Sequence, residues 1–230
     1  MGLDPVGGVR RVVGDVVGFG WDHLTRLGTI GTGSRRAGRF GAFGDDSAIC
    51  FPVGALFGER WIRIGAHTVI GPYSSLSAGV APAHVPDHDP VVRIGDRCVI
   101  GKGSGIVAHR SVEIGDDVWT GHHVYVTDAN HGYEDVTRPP GQQFAGPEPV
   151  RIASGAWLGH GTIVLPGSTI GEHAVIGAGA VVIGDIPAFS VAVGNPARVV
   201  RQHVPGVGWR PADELPVAIP DADDEEETAS

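Results

Sequence analysis

Apolar residues recur at every sixth position over the second half of the chain. Ile152, Leu158, Val164, Ile170, Ile176 and Val182 keep that spacing without a break. Four residues after each stands a second inward candidate: Ala156, Thr162, Ser168, Ala174, Ala180 and Ile186. Glycine follows the apolar residue at Gly159, Gly171 and Gly177. Neither a helix nor a simple strand has this period. It is a repeat, and it predicts one short strand and one corner per hexad. Three hexads then close a triangular coil, and coils stack at about the 4.8 Å spacing of paired strands. In that register Ile152 lies on Ile170, Leu158 on Ile176 and Val164 on Val182. The large residues fill the prism. The small ones turn its corners, where bulk does not fit.

The same rhythm runs earlier. Ile64, Ile70 and Leu76 are six apart, with Thr68, Ser74 and Val80 as their corner residues. Ile94, Ile100 and Ile106 follow, with Cys98 and Ser104 at corners. A phase slip of two moves the next start to Ile114, followed by Thr120 and Val126. An all-β prism is therefore expected over roughly 45–190, broken by two excursions, Gly79 to Pro90 and Asn130 to Pro149.

Ahead of the prism the period changes. Val9, Val12, Val13, Val16, Val17, Trp21 and Leu24 share one face at helical spacing. Asp4 and Pro5 suit a helix start and Gly28 its end. This helix, residues 5–27, is expected to cover the open first coil, because a stacked prism exposes strand edges at both ends. The layout is 1–44 helix and cap, 45–200 prism, and 201–230 a C-terminal extension with an acidic tail.

Charge and composition narrow the classes. The formal net charge is −9. Asp213, Glu214, Asp221, Asp223, Asp224, Glu225, Glu226 and Glu227 crowd the last stretch, so the body is near neutral. A near-neutral body gives no reason to expect nucleic acid or an anionic membrane as partner. The segment from Pro220 to Ser230 has little to bury and reads as disordered. Cys50 and Cys98 set no disulfide framework and form no metal pair. No signal-peptide stretch or membrane span is read, and a cytoplasmic protein is expected.

The hexads specify the fold, and their combination with "TDANH" and "GNPARVVR" is more specific. "IGDDVW", "LGHGTIVLPGSTIGEHAVIGAGAVV" and "VGNPARVVR", together with "TDANH", resemble the hexapeptide-repeat acyltransferases. The match is to the galactoside, maltose and polysaccharide O-acetyltransferase branch, over about residues 49–201. The resemblance implies a left-handed parallel β-helix, against the usual right-handed crossover. It also implies a homotrimer with active sites between subunits, acetyl-CoA as acyl donor, and a small-molecule or sugar acceptor.

The chemistry asks for a base, because an alcohol is a poor nucleophile until it loses its proton. Histidine suits that at neutral pH. His131, ending "TDANH", is where the resembled enzymes place theirs. Asp128 and Asn130 beside it are candidates to orient the imidazole or hold the acceptor. His109 on the preceding coil and Tyr133 in the long excursion are candidate acceptor contacts. The resemblance assigns coenzyme A to Trp157, Gly159, His160, Ala178 and Gly179, with Arg198 and Arg201 for its phosphates. Two departures matter. The neighbourhood "IGKGSG" lacks an asparagine that several sugar-specific members carry, which weakens galactose or maltose as acceptor. Gly184 replaces the usual lysine after the last coil, and Lys102 is the chain's single lysine.

Two alternatives stand beside this reading. γ-Class carbonic anhydrases share the fold and bind zinc through three histidines, and His109, His122, His123 and His160 invite the comparison. "TDANH" and "GNPARVVR" belong to the other branch, and no metal is expected. His84, Asp87, His88 and Asp89 read as a solvated loop rather than a metal cluster. The second alternative is a trimeric scaffold without catalysis, against which His131 and Arg201 argue.

Overall fold

A computed structural model of the chain describes residues 5–81 and 84–214. The acidic tail and Asp4 lie outside the described residues.

The hexads fold as their spacing predicts. Short parallel strands build three faces around one apolar core. Chain order visits the faces in turn: a first face (Val69–Ile70, Val99–Ile100, Trp119–Thr120, Trp157–Leu158, Val175–Ile176), a second (Ser75–Ala78, Gly105–Ala108, Tyr125–Thr127, Ile163–Val164, Val181–Val182) and a third (Ile62–Ile64, Val92–Ile94, Val112–Ile114, Val150–Ile152, Thr169–Ile170). Ile152 pairs with Ile170, Leu158 with Ile176 and Val164 with Val182, the expected register. The corner residues Ala156, Thr162, Ser168, Ala174 and Ala180 are buried.

Corner hydroxyls bind the layers together. The Ser47 hydroxyl donates to the Gly65 carbonyl at 2.6 Å, and that of Thr68 to the Gly95 carbonyl at 2.7 Å. A small polar side chain thus satisfies buried backbone where a larger residue has no room.

Each interruption ends in phase. On the third face Ile64 pairs with Ile94, Ile94 with Ile114 and Ile114 with Ile152, so both excursions and the two-residue slip are absorbed outside the ladder. Val80 departs from the expectation. It is 52 % exposed, because the chain leaves the prism at Gly79 before the corner is made.

The outer faces differ in chemistry. Val69, Val99, Trp119, Trp157, Val175 and Val191 form one ladder on the first face, and Trp119 and Trp157 are exposed. The third face carries Arg63, Arg93, Glu113 and Arg151 in the equivalent ladder.

The helix α1 (Pro5–Gly28) forms, and it does not cover the first coil along its length. Val12, Val13, Val16, Val17, Phe19, Leu24 and Leu27 are exposed, and among the described side chains the helix meets the prism toward its C-terminal end, where Trp21 faces Phe51 at 6.5 Å between ring centroids. The open coil is capped instead by the segment after the helix. Ile30, Ala37 and Phe40 are buried there, and Ile30–Gly31 pairs antiparallel with Ala48–Ile49. At the other end Ser190–Val193 extends the first face in parallel, and Arg198–Val204 and Gly208–Pro211 fold back on it as antiparallel strands, carrying the structure past residue 200. Among the described residues no helix is long and apolar enough to cross a membrane.

Candidate active site

Both excursions leave the second face toward the third. The first follows Ser75–Ala78 and the second follows Tyr125–Thr127, and these strands flank Gly105–Ala108. Between them the chain turns tightly through His109, Arg110 and Ser111. That turn is held by one carboxylate. Asp128 is fully buried; its Oδ1 accepts the His109 N–H at 2.7 Å, and its Oδ2 accepts those of Arg110 at 2.8 Å and Ser111 at 2.7 Å. Its own carbonyl accepts the Glu148 N–H at 2.7 Å, which fixes the return of the long excursion. Asp128 therefore spends its acceptor capacity on backbone, and it lines neither cleft described below.

His131 stands at the start of the long excursion, exposed, bridged antiparallel to Phe144. Its Nδ1 lies 3.2 Å from the Gln143 carbonyl oxygen, which also accepts the Gly132 N–H at 3.1 Å. A carbonyl only accepts, so in the neutral ring Nδ1 carries the proton and Nε2 keeps its lone pair. Gln143 is itself fixed. Its buried amide donates to the carbonyls of Asp135 at 2.9 Å and Arg138 at 2.8 Å, and accepts the Asp135 N–H at 3.2 Å. The Thr137 hydroxyl and N–H hold the Asp135 carboxyl below its ordinary pKa.

A cleft of about 480 Å³ runs from His131 across the outer second face. Asn130, His109, Tyr125, Thr127, Ile163 and Phe144 help line it. The structure thus brings together His131, Asn130 and His109 of the predicted site. Tyr133 is 75 % exposed and faces neither cleft.

The residues read as coenzyme A contacts gather elsewhere. Trp157 pairs with Val175, Val175 with Val191 and Val191 with Arg201, one ladder on the first face. At the corner between the first and second faces, the Gly179 N–H donates to the His160 carbonyl at 2.8 Å. Gly159 is required there, since a Cβ would stand 2.5 Å from the Ala178 nitrogen. Ala178 and Gly179 are exposed, so this tight backbone is open to a ligand. Arg198 turns back, its Nη1 donating to the Ala197 carbonyl at 2.8 Å. None of these residues lines the His131 cleft. The two halves of the expected site are on different parts of one prism.

His122, His123 and His160 cluster at that same corner, with ring centroids 5.5 to 6.5 Å apart. Among the described residues no group of three or more His, Cys, Asp or Glu is disposed to hold a metal ion. In the loop read as solvated, Asp89 is taken by Arg63, whose Nη2 donates to both carboxylate oxygens at 3.1 Å. Sequence reasoning missed Gln143 and Phe144, which orient and wall His131. Their only sequence signal is membership of the long excursion.

Comparison with known proteins gives concordant results. A family model described as bacterial transferase hexapeptide (six repeats) matches residues 149–184. A second, described as hexapeptide repeat of succinyl-transferase, matches residues 91–127. A Mycobacterium tuberculosis protein named "Probable acetyltransferase" is 36 % identical over 144 residues, 63 % of this chain and 43 % of its own length. A Saccharomyces cerevisiae protein with acetyltransferase in its name is 36 % identical over 123 residues, 54 % of this chain and 62 % of its own length. A Staphylococcus aureus protein, likewise, is 51 % identical over 74 residues, 32 % of this chain and 36 % of its own. The chain thus spans less than two thirds of these relatives. Among solved structures, the N-acyltransferase AntD from Bacillus cereus, in complex with dTDP and 3-hydroxybutyryl-CoA, superposes with a TM-score of 0.61 at 19 % identity, covering 72 % of this chain and 84 % of that one. The likeness is one of fold, the left-handed parallel β-helix.

Proposed function

We propose that this chain, a member of the hexapeptide-repeat acyltransferase family, transfers an acetyl group from coenzyme A to a hydroxyl of a small or carbohydrate acceptor, with His131 as general base. The observation that carries the reading is the Gln143 carbonyl on His131 Nδ1, which leaves Nε2 free to accept a proton. In the proposed step the acceptor oxygen attacks the thioester carbon while Nε2 takes its proton. The carbon–sulfur bond then breaks, and the proton passes to the leaving thiolate. The Ala178 backbone amide is suited to the oxyanion formed between these events, that of Gly179 being taken by the His160 carbonyl. The acetyltransferase names of the relatives support the reaction class. The acyl-CoA in the AntD complex belongs to that protein and agrees with the same choice.

The separation of His131 from the Trp157, Ala178 and Arg201 surface supports sites built between copies. One copy supplies the base and the other the acyl-CoA surface, as a closed homotrimer provides. The ladder that Arg201 shares with Trp157 supports a phosphate contact by its guanidinium.

Calorimetric titration of acetyl-CoA, with dephospho-CoA beside it, tests the proposal. One saturable site per subunit, weakened without the 3′-phosphate, is expected. No binding at high concentration refutes it. Conversion of a His131→Asn variant as fast as wild type refutes the base.

A further inference from the structure

The long excursion and the shorter one enclose more than the His131 cleft. A second cleft of about 720 Å³ lies between them, and it shares His109, Phe144 and Ala145 with the first. Val80 and Val85 stand on one wall and Phe144 and Pro147 on the other, over the His109–Arg110 turn. The floor is rigid because Asp128 holds both backbone amides. One wall is anchored by the Arg63–Asp89 pair, the other by Asp128 and Glu148. Val80, Val85 and Phe144 are 52 %, 74 % and 80 % exposed. Three large apolar side chains left in water around one cleft mark a binding surface rather than a packing accident. Arg110, Asp87 and His84 also line the cleft, Arg110 and Asp87 being of opposite charge, and the apolar walls set the occupant.

We infer that this second cleft is the specificity subsite of the same reaction, and that it takes an apolar group, an aromatic ring or a short alkyl chain, attached to the hydroxyl-bearing part of the acceptor. The inference rests on the transferase reading. The shared wall carries the argument: an acceptor whose hydroxyl lies near His131 and whose next atoms follow His109 and Phe144 enters the apolar cleft beyond them. Burial of a ring against these walls favours a ring-bearing acceptor over its methyl counterpart by about tenfold or more.

The phenyl and methyl ethers of glycerol have the same hydroxyls and differ in that group alone. Their binding to the full chain is measured by ligand-detected NMR, for wild type, Val85→Asp and Phe144→Ala. The phenyl ether should bind about tenfold tighter than the methyl ether. Both substitutions should bring the ratio close to one, and Val85→Asp, which lies outside the His131 cleft, should leave acetyl-CoA titration unchanged. Equal binding of the two ethers, absence of binding by both, or a ratio untouched by Val85→Asp overturns the subsite. The transferase reading fails separately, through loss of acetyl-CoA binding in the wild type, and then phenyl selectivity with its loss in both variants still supports an apolar ligand cleft.

Discussion

Replacing Asp128 tests how the site is held. The carboxylate is fully buried and accepts three backbone N–H groups at 2.7 to 2.8 Å. Truncation to alanine leaves three donors without partner. A hydrogen bond to a charged group contributes roughly 1.5–3 kcal/mol, and a buried orphan donor costs about 1–3 kcal/mol. The three do not add fully, since the turn lies near the surface and Arg110 is exposed, so its freed amide relaxes toward water. A loss of about 3–4 kcal/mol is expected for Asp128→Ala, or roughly 6–16 °C in Tm for a chain of this size. Asp128→Asn keeps the shape and one oxygen, and it turns an NH2 toward at least one N–H, so about half that loss is expected. Urea and thermal unfolding measure both, and the m-value should stay constant. The alternative role, contact with the acceptor, has the opposite signature: KM for the acceptor rises while Tm is unchanged. An Asp128→Ala loss below about 0.5 kcal/mol would refute the reasoning, because surface substitutions alone reach that size.

Other outcomes follow from the same geometry. His131→Ala should lower kcat by about 10²–10⁴ with Tm unchanged, since the ring is exposed and bonds one carbonyl. Arg201→Ala should weaken acetyl-CoA by about tenfold and dephospho-CoA hardly at all, as titration will report. Gly159→Ala puts a carbon 2.5 Å from the Ala178 nitrogen; it should cost about 2–3 kcal/mol in urea unfolding and reduce acetyl-CoA binding in step. Burial raises the Cys98 thiol, so its contribution to stability is whole below the ordinary thiol pKa and falls as pH rises above it. The urea midpoint should therefore drop less between neutral and alkaline pH in Cys98→Ala than in wild type.

The core was legible because its period is local. Ile152, Leu158 and Val164 each announce their stacking partners by position, and the pairing follows. Val80 was misread because periodicity cannot show where a chain stops turning. The helix was misread for a related reason: its apolar stripe is real, but a stripe does not name what it faces. At the site, His131 was marked by "TDANH", while its orientation depends on a carbonyl twelve residues on. Asp128 was visible as a polar neighbour of His131. Its actual partners lie one coil earlier, and side-chain bonds between coils leave no spacing rule in the sequence. Arg201 was read from "NPARVVR", but its alignment with Trp157 depends on an antiparallel return that the hexads do not encode.

The way the interruptions end in phase has a consequence for how such a protein changes. A solenoid layer contacts only its neighbours, so its stability is a sum of local terms. Where Ile114 pairs with Ile152 as directly as Ile152 pairs with Ile170, the ladder is indifferent to the length of chain spun out between them. Closing a longer loop is cheap, about 0.6 kcal/mol for each doubling. The two excursions that wall the clefts can therefore be lengthened, shortened or rewritten at little expense, provided each rejoins at the same rung. The ladder of Trp157 and Arg201 is tied rung to rung and has no such freedom. In this architecture what is recognised beside His131 can diverge quickly, while the surface of Trp157, Ala178 and Arg201 stays as it is.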